Sequence, residues 1–178
     1  MWYRIGDRKR SNNEALEIDI MKSMKNVFFL DGPSFCGKTY FLNQMNTGVI
    51  IYPCRQFIEE AIMPILLENV SREAVLKKLQ KECAGKIIAL EDVDYSLEGK
   101  RSTQAELAFF VALLSQTNKV ILTGIDLRMK CRSLMQHIKC VPYGYYCLAS
   151  DSEGSFEPAK KVRIQKKYRQ ITSNKPPF

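Results

Sequence analysis

Short runs of consecutive apolar residues alternate along the chain with longer stretches in which apolar residues recur every three or four positions. Uninterrupted runs of four or five residues are typical of strands that are buried on both faces, and the longer recurrence is typical of helices. The pattern predicts strands at 27–30, 48–52, 86–90 and 120–123, with a fifth within 140–148. Because strands and helices alternate, we expect an α/β domain with a parallel five-stranded sheet between helices.

Polar residues and glycines indicate where the predicted helices begin and end. Ser71 is a candidate N-cap, and Gly85 follows the end of the same predicted helix. Thr103 and Glu106 have the spacing of a capping box, which predicts a helix that begins near Gln104. The full set of predicted helices is 12–24, one from Gly37 or Lys38 through Met45, 55–68, 72–83, 104–116 and a short one near 127–137.

One glycine-containing turn between the first long strand and the next helix carries the pattern GxxxxGK[ST]. In such a turn, consecutive backbone N–H groups point inward and form an anion-binding nest, which the following helix N-terminus reinforces. The lysine supplies a cation for the outer phosphates and the threonine hydroxyl ligates Mg²⁺. The sequence therefore predicts a site for ATP or ADP formed by Gly32, Pro33, Ser34, Phe35, Cys36, Gly37, Lys38, Thr39 and Tyr40.

Phe35 is the departure from this pattern, since many such loops have glycine or another small residue at this position. A bulky side chain here is expected either to strain the nest or to cover the phosphates. Pro33 removes one N–H group, but it precedes the nest.

A second group of candidate residues lies at the ends of two other predicted strands. Glu91 and Asp92 end the run 87–92, where one carboxylate is expected to reach Mg²⁺ and the other to polarise the attacking water. Adjacent residues of a regular strand point to opposite sides, so a twist is needed to bring both to the site. Asp94 is a further acidic candidate, and Thr123 is a candidate sensor of the γ-phosphate.

With these residues in place, the chain from 12 to about 148 resembles the ATPase domain of the bacterial replication initiator DnaA family, within the AAA+ class. The stretch 89–107 is similar to that family's Walker B strand, hydrophobic turn, Gly-Lys pair and Thr-Gln-x-Glu helix start. The segments 119–124 and 52–58 resemble its sensor-1 strand and its second strand with the following helix, and 12–15 is similar to a motif near the adenine. The resemblance implies a P-loop NTPase fold of the AAA+ (ASCE) type.

Carried over residue by residue, the resemblance assigns Lys38 and Thr39 to phosphate and Mg²⁺. It puts Glu91 in the position of a metal-binding aspartate and Asp92 in that of the catalytic acid. The family's arginine finger would fall within 136–139, which holds no arginine. The stretch 158–164 resembles the family's first lid helix only, so we expect the lid to be largely missing. Without the finger and the lid arginine, turnover is expected to be slow.

Charge and composition refine this interpretation. The 178 residues carry a formal net charge of +8, which favours polyanionic partners. Residues 1–150 are expected to form the ATPase core. The segment 151–178 is expected to be a basic tail that resembles the first lid helix, with six lysines and arginines between 160 and 169. Six scattered cysteines without a CxxC pair are typical of reduced thiols in a cytoplasmic protein, and we find no signal peptide or membrane-length apolar run.

The sequence thus predicts an ATP-binding DnaA-like AAA+ protein that acts in DNA replication initiation or its regulation, with weak or no ATP hydrolysis. Single-stranded DNA and another AAA+ replication protein are the candidate partners besides ATP and Mg²⁺; no membrane is expected. Two alternatives stay open. One is a non-hydrolysing interaction module with a degenerate site, and the other is a small P-loop kinase.

Overall fold

The computed structural model describes residues 2–4, 10–97 and 100–149. A single parallel sheet runs through this part of the chain, in the order β1-β6-β2-β5-β4-β3. The five predicted strands are all present, so the predicted parallel α/β sheet is confirmed. A sixth, three-residue strand that the sequence did not indicate lies beside β6. The strands are β1 (Trp2–Arg4), β2 (Val27–Asp31), β3 (Val49–Pro53), β4 (Ile87–Glu91), β5 (Val120–Gly124) and β6 (Tyr143–Ala149).

Helices cover both faces of the sheet, as expected for parallel strands that are buried on both sides. On one face, Leu16 and Ile20 of α1 and Phe41 of α2 pack with Phe28 and Ile121 of the sheet. Helices α3 to α9 pack on the other face and form, with the sheet, the larger hydrophobic core. The helices are α1 (Arg10–Lys22), α2 (Lys38–Gln44), α3 (Cys54–Phe57), α4 (Met63–Glu68), α5 (Arg72–Cys83), α6 (Val93–Leu97), α7 (Arg101–Leu114), α8 (Leu127–Lys130) and α9 (Arg132–His137).

The helix predicted at 55–68 is present but is interrupted by a π-helical turn at Ile58–Ile62. The N–H of Met63 donates to the carbonyl of Ile58, one residue further back than in an α-helix. Pro64 follows immediately, and a proline inside a helix has no N–H to donate and crowds the preceding turn. The wider turn lets the chain stay helical through this proline.

The predicted capping box at the start of α7 is wrong. The helix begins at Arg101, and neither Thr103 nor Glu106 caps it. Glu106 is instead buried and forms a two-point ion pair with Arg72 of α5, at 2.6 and 2.9 Å. A bidentate arginine–carboxylate pair is stronger than a carboxylate bond to a backbone N–H, so the tertiary contact prevails over the local one.

The cysteines of the described part form no disulfide. Four of them are buried as expected, whereas Cys140 is exposed and Cys147 is half-buried. Across residues 2–4, 10–97 and 100–149, no helix is long and apolar enough to cross a membrane. The basic tail at 151–178 lies outside the described residues, as does the boundary that was predicted for it.

Candidate nucleotide-binding site

The glycine-containing turn leaves the carboxyl end of β2 and leads into α2. Its first residue, Gly32, donates its N–H to the carbonyl of Gly124 at the end of β5, at 3.1 Å. A Cβ at Gly32 would lie 2.8 Å from the Leu148 carbonyl oxygen and 3.0 Å from the Cys36 sulfur. Glycine is therefore required here, because the loop backbone passes directly against β6. This contact holds the loop at the carboxyl ends of the strands.

Two residues of this loop have left-handed backbone conformations. Gly37 has φ 93° and Phe35 has φ 61°. Left-handed residues turn neighbouring N–H groups toward a common point, which is the geometry of an anion nest. For phenylalanine this conformation costs about 1–2 kcal/mol. The Phe35 side chain is fully exposed, so the ring points into solvent and does not fill the turn. The predicted strain is present, whereas the ring leaves the nest uncovered.

Lys38, the first residue of α2, folds back over the loop. Its Nζ donates to the carbonyls of Gly32 and Pro33 at 2.8 and 2.9 Å and lies 3.7 Å from the sulfur of Cys36. Two loop carbonyls thus hold the ammonium at the mouth of the turn. A positive charge in this place complements an anion bound by the loop N–H groups.

The next residue of α2 connects the loop to the acidic strand end. Thr39 donates its hydroxyl hydrogen to Oε1 of Glu91, with the two oxygens 2.5 Å apart. A hydroxyl and a carboxylate oxygen side by side are hard oxygen ligands of the kind Mg²⁺ takes, usually together with substrate phosphates. Within the described part of the chain, no group of three or more histidine, cysteine, aspartate and glutamate side chains is placed to hold a metal ion. The Thr39–Glu91 pair fits a Mg²⁺ that is bound jointly with a nucleotide.

The side chain of Asp92 is placed differently from that of Glu91. Asp92 has φ 55°, which ends the strand abruptly, and its side chain is exposed. Among the described residues its side chain makes no hydrogen bond or ion pair. Burial, and to a smaller extent nearby charges that include Asp92, raise the pKa of the Cys54 thiol to about 12. The structure therefore brings Glu91, and not Asp92, into contact with Thr39.

Thr123 lies where the sequence placed it, at the end of the strand between the loop strand and the acidic strand. Leu90 is paired with Leu122, so Glu91 and Thr123 are the next residues along neighbouring strands. Thr123 is buried, and its strand neighbour Ile121 packs in the same core as Phe41 of α2. Its side chain is accordingly on the sheet face that carries the loop helix.

A polar contact that sequence analysis missed fixes the end of β2. The Tyr145 hydroxyl donates a short hydrogen bond to Asp31, the residue just before Gly32. Burial, and then this hydrogen bond, raise the pKa of Tyr145 above its ordinary value. The guanidinium of Arg128 lies 4.0 Å from the centre of the Tyr145 ring. No local pattern connects residues so distant in sequence, yet together they anchor the start of the loop to β6 and α8.

Other predicted residues lie at the rim of the site. Pro33 and Ser34 are exposed, and Tyr40 is 40% exposed on α2. On α1, Asn13 is 8% exposed, and its Oδ1 is the buried side-chain oxygen or nitrogen without a hydrogen-bond partner in the described part of the chain.

The strand order, the loop between β2 and α2, and the acidic end of β4 together define the class. With β5 between the loop strand and the acidic strand, this is the fold of an AAA+ P-loop domain.

Comparison with solved structures identifies the fold more closely as that of the DnaA ATPase domain. A DNA replication initiation factor matches with TM-score 0.55 and 20% identity over 79% of this chain and 46% of its own. A DnaA bound to AMPPCP and single-stranded DNA matches with TM-score 0.53 and 18% identity over 80% of this chain and 47% of its own. Domain III of the Thermotoga maritima DnaA matches with TM-score 0.53 and 18% identity over 80% and 64%.

The chain thus spans about half the length of the first two of these structures. No protein-family model and no curated protein sequence matches the chain. At these levels of identity, the likeness concerns the fold.

Proposed function

We propose that this protein binds ATP or ADP with Mg²⁺ and acts in the initiation of DNA replication or in its regulation. The observation that carries the proposal is the contact between Thr39 and Glu91, which are 52 positions apart. It joins the phosphate loop to the acidic strand end with hard oxygen atoms of the kind that Mg²⁺ prefers. The DnaA-like fold, with relatives described as bound to AMPPCP, supports the same conclusion.

Each residue of the site has a distinct role in this proposal. The loop N–H groups between Gly32 and Lys38 hold the phosphates, and the Lys38 ammonium moves from the loop carbonyls to the outer phosphate oxygens. Thr39 and Glu91 hold Mg²⁺, which when bound neutralises phosphate charge. Thr123 contacts the γ-phosphate, and Asp92 orients water after its exposed side chain has turned toward Glu91.

Asn13 gives the proposal a preference for the base. Its buried Oδ1 is an acceptor without a donor in the described part of the chain, and burying such a group costs free energy unless a partner satisfies it. The 6-amino group of adenine is a donor, whereas guanine has an acceptor at the same position. Together with the similarity of 12–15 to a motif near the adenine, this acceptor supports adenine nucleotides in the proposal.

The proposed partners are single-stranded DNA or another AAA+ replication protein, because one of the structurally similar DnaA proteins is described as bound to single-stranded DNA. The scattered cysteines without a CxxC pair favour a cytoplasmic location for this activity. Hydrolysis is expected to be slow or absent, since 136–139 holds no arginine to supply to a neighbouring site.

A non-hydrolysing module is the second candidate function, and a specific observation favours it. Among the described residues the Asp92 side chain makes no hydrogen bond with Thr39 or Glu91, so no such bond holds the second acid in place for water activation. A phosphate-release assay separates the two candidates. Release above background that Asp92→Asn abolishes indicates an ATPase, whereas ATP binding without release, unchanged by DNA, indicates a module.

The test of nucleotide binding is calorimetry with ATP and Mg²⁺. We expect Lys38→Ala to weaken ATP binding by about 100-fold, since hydrogen bonds to a charged group contribute roughly 1.5–3 kcal/mol each. Lys81→Ala, an exposed lysine on α5, is the matched control and should bind ATP as tightly as the unmodified protein. Absence of binding heat with the unmodified protein at several temperatures would contradict the proposal.

A further inference from the structure

Asp94 is a buried acid that the proposed site does not use. It lies two residues after Asp92, on α6, and is only 5% exposed. Its Oδ2 is 3.3 Å from Nζ of Lys130, the last residue of α8. A buried carboxylate is stable only when a partner compensates its charge, and Lys130 is that partner. The pair therefore joins the helix that follows the acidic strand to the helix that follows the Thr123 strand.

The Asp94 carboxylate also packs directly against the end of β5. A Cβ on Gly124 would lie 2.6 Å from Oδ1 of Asp94 and 2.5 Å from Leu127. The residue beside Thr123 thus has no side chain because the carboxylate occupies that space. The carbonyl of Asp92 accepts the N–H of Ser96 at 3.1 Å, so the left-handed turn at Asp92 and the helix carrying Asp94 are one continuous unit.

Gln104 of α7 is a buried residue that contacts the helices carrying Asp94 and Lys130. It is 3% exposed, and its amide donates to the carbonyl of Leu97 at 2.8 Å and to that of Lys130 at 3.4 Å. Its Oε1 accepts the N–H of Leu134 at 3.0 Å. One buried amide therefore contacts α6, α8 and α9, which leaves little freedom for Asp94 and Lys130 to separate.

We propose that Asp94 and Lys130 are a positioning pair that holds the strained Asp92 turn, and with it Glu91, in register with Thr123. The non-glycine residue at φ 55° costs free energy and persists only where its surroundings fix it. The ion pair of buried Asp94 with half-buried Lys130 fastens α6 to α8, and Gln104 reinforces this connection. The part of this inference that concerns Mg²⁺ binding by Glu91 rests on the proposed function.

The first experiment measures how firmly the Asp94–Lys130 pair holds the Asp92 turn when no ligand is bound. Hydrogen exchange of the amides of Val93–Leu97 is compared in Asp94→Asn, Lys130→Met and the double variant. We expect exchange at least about 10-fold faster in each single variant, because Lys130→Met leaves the buried Asp94 carboxylate uncompensated and Asp94→Asn removes the charge that holds Lys130 to α6. The double variant should exchange less fast than two independent effects would give. Lys81→Met is the matched control and should leave this segment unchanged.

The second experiment measures the gain in ATP affinity that Mg²⁺ provides. Lys130→Met should reduce that gain by about 10-fold while leaving ATP binding in EDTA unchanged, because the loop and Lys38 are untouched. A lower melting temperature with the full Mg²⁺ gain retained would show a merely structural pair and overturn the positioning role.

The two experiments distinguish failure of the proposed function from failure of the positioning pair. If the unmodified protein binds no nucleotide, the proposed function is wrong, and hydrogen exchange alone decides whether the pair holds the turn. Unchanged exchange at Val93–Leu97 in both single variants, or strictly additive effects in the double variant, would overturn the inference even if ATP binds tightly. Asp94→Asn keeps the shape of the side chain, so the comparison does not depend on a variant that creates a cavity.

Discussion

The phosphate loop and the acidic end of β4 face each other across the site, but they are built in different ways. The curvature of the loop is set mainly within the loop itself, by Phe35 and Gly37 in left-handed conformations and by Lys38 folded onto the carbonyls of Gly32 and Pro33, although Gly32 also lies against Leu148 of β6. The acidic end depends on distant contacts. Glu91 is bonded to Thr39, and the turn after it is fastened through Asp94 to Lys130. Changes in the loop should therefore act on folding and nucleotide binding together, whereas changes at the acidic end should act on Mg²⁺ dependence.

The largest effect is expected for Gly32→Ala. The added Cβ would lie 2.8 Å from the backbone oxygen of Leu148, where neither group can move without shifting a strand. Overpacking of this kind costs roughly 1–3 kcal/mol or more of the free energy of unfolding. Urea denaturation measures the loss, and ATP binding should be lost with it.

Gly48→Ala is the matched control for this change. A Cβ at Gly48 would meet no atom within 4 Å, and this glycine does not have a positive φ. We expect the free energy of unfolding to stay within about 0.5 kcal/mol of its original value. Equal destabilisation by the two substitutions would show that loss of glycine, and not the approach of β6, is responsible.

A smaller effect, confined to Mg²⁺, is expected for Glu91→Gln. The amide keeps the size of the side chain and a hydrogen bond with Thr39 but loses the charge that attracts a cation. ATP affinity in the presence of Mg²⁺ should fall by about 10-fold, which corresponds to roughly 1.4 kcal/mol, with little change in EDTA. Titrations under both conditions measure this difference.

Thr39→Val, alone and combined with Glu91→Gln, sharpens the same test. If both residues hold one Mg²⁺, the double variant should lose less affinity than the sum of the two single losses. Additive losses would mean that the two side chains act separately and that their hydrogen bond belongs only to the nucleotide-free protein.

The same contrast between local and distant contacts explains what the sequence could predict. Apolar periodicity located all five long strands, because burial on both faces of a parallel sheet leaves uninterrupted apolar runs. The loop was evident because its chemistry is contained in eight consecutive residues. Glu91 was predicted as a site residue because an acid interrupts an apolar strand at its end, and the structure places it against Thr39.

Features that depend on distant contacts were missed or misinterpreted. Thr103 and Glu106 have capping-box spacing, but Glu106 pairs with Arg72, 34 positions away. Asp94 looked like a further acid for the site until its contact with Lys130 placed it in the core. Tyr145, Asp31 and Arg128 carry no local signal at all, because their proximity follows only from strand order. A single sequence encodes these contacts without marking them.

Phe35 gives the smallest expected effect and the most direct test of the loop. Its φ of 61° costs about 1–2 kcal/mol for phenylalanine, whereas glycine adopts this conformation freely but loses roughly 0.5–1 kcal/mol more backbone entropy on folding. The exposed ring contributes no burial that would be lost. Phe35→Gly should therefore stabilise the protein by about 0.5–1 kcal/mol and leave ATP binding intact. Phe35→Ala removes the same ring but keeps the strained backbone, so its stability should stay unchanged. If Phe35→Gly weakens ATP binding and Phe35→Ala does so equally, the ring itself contacts the nucleotide, and the loop is more than a local backbone structure.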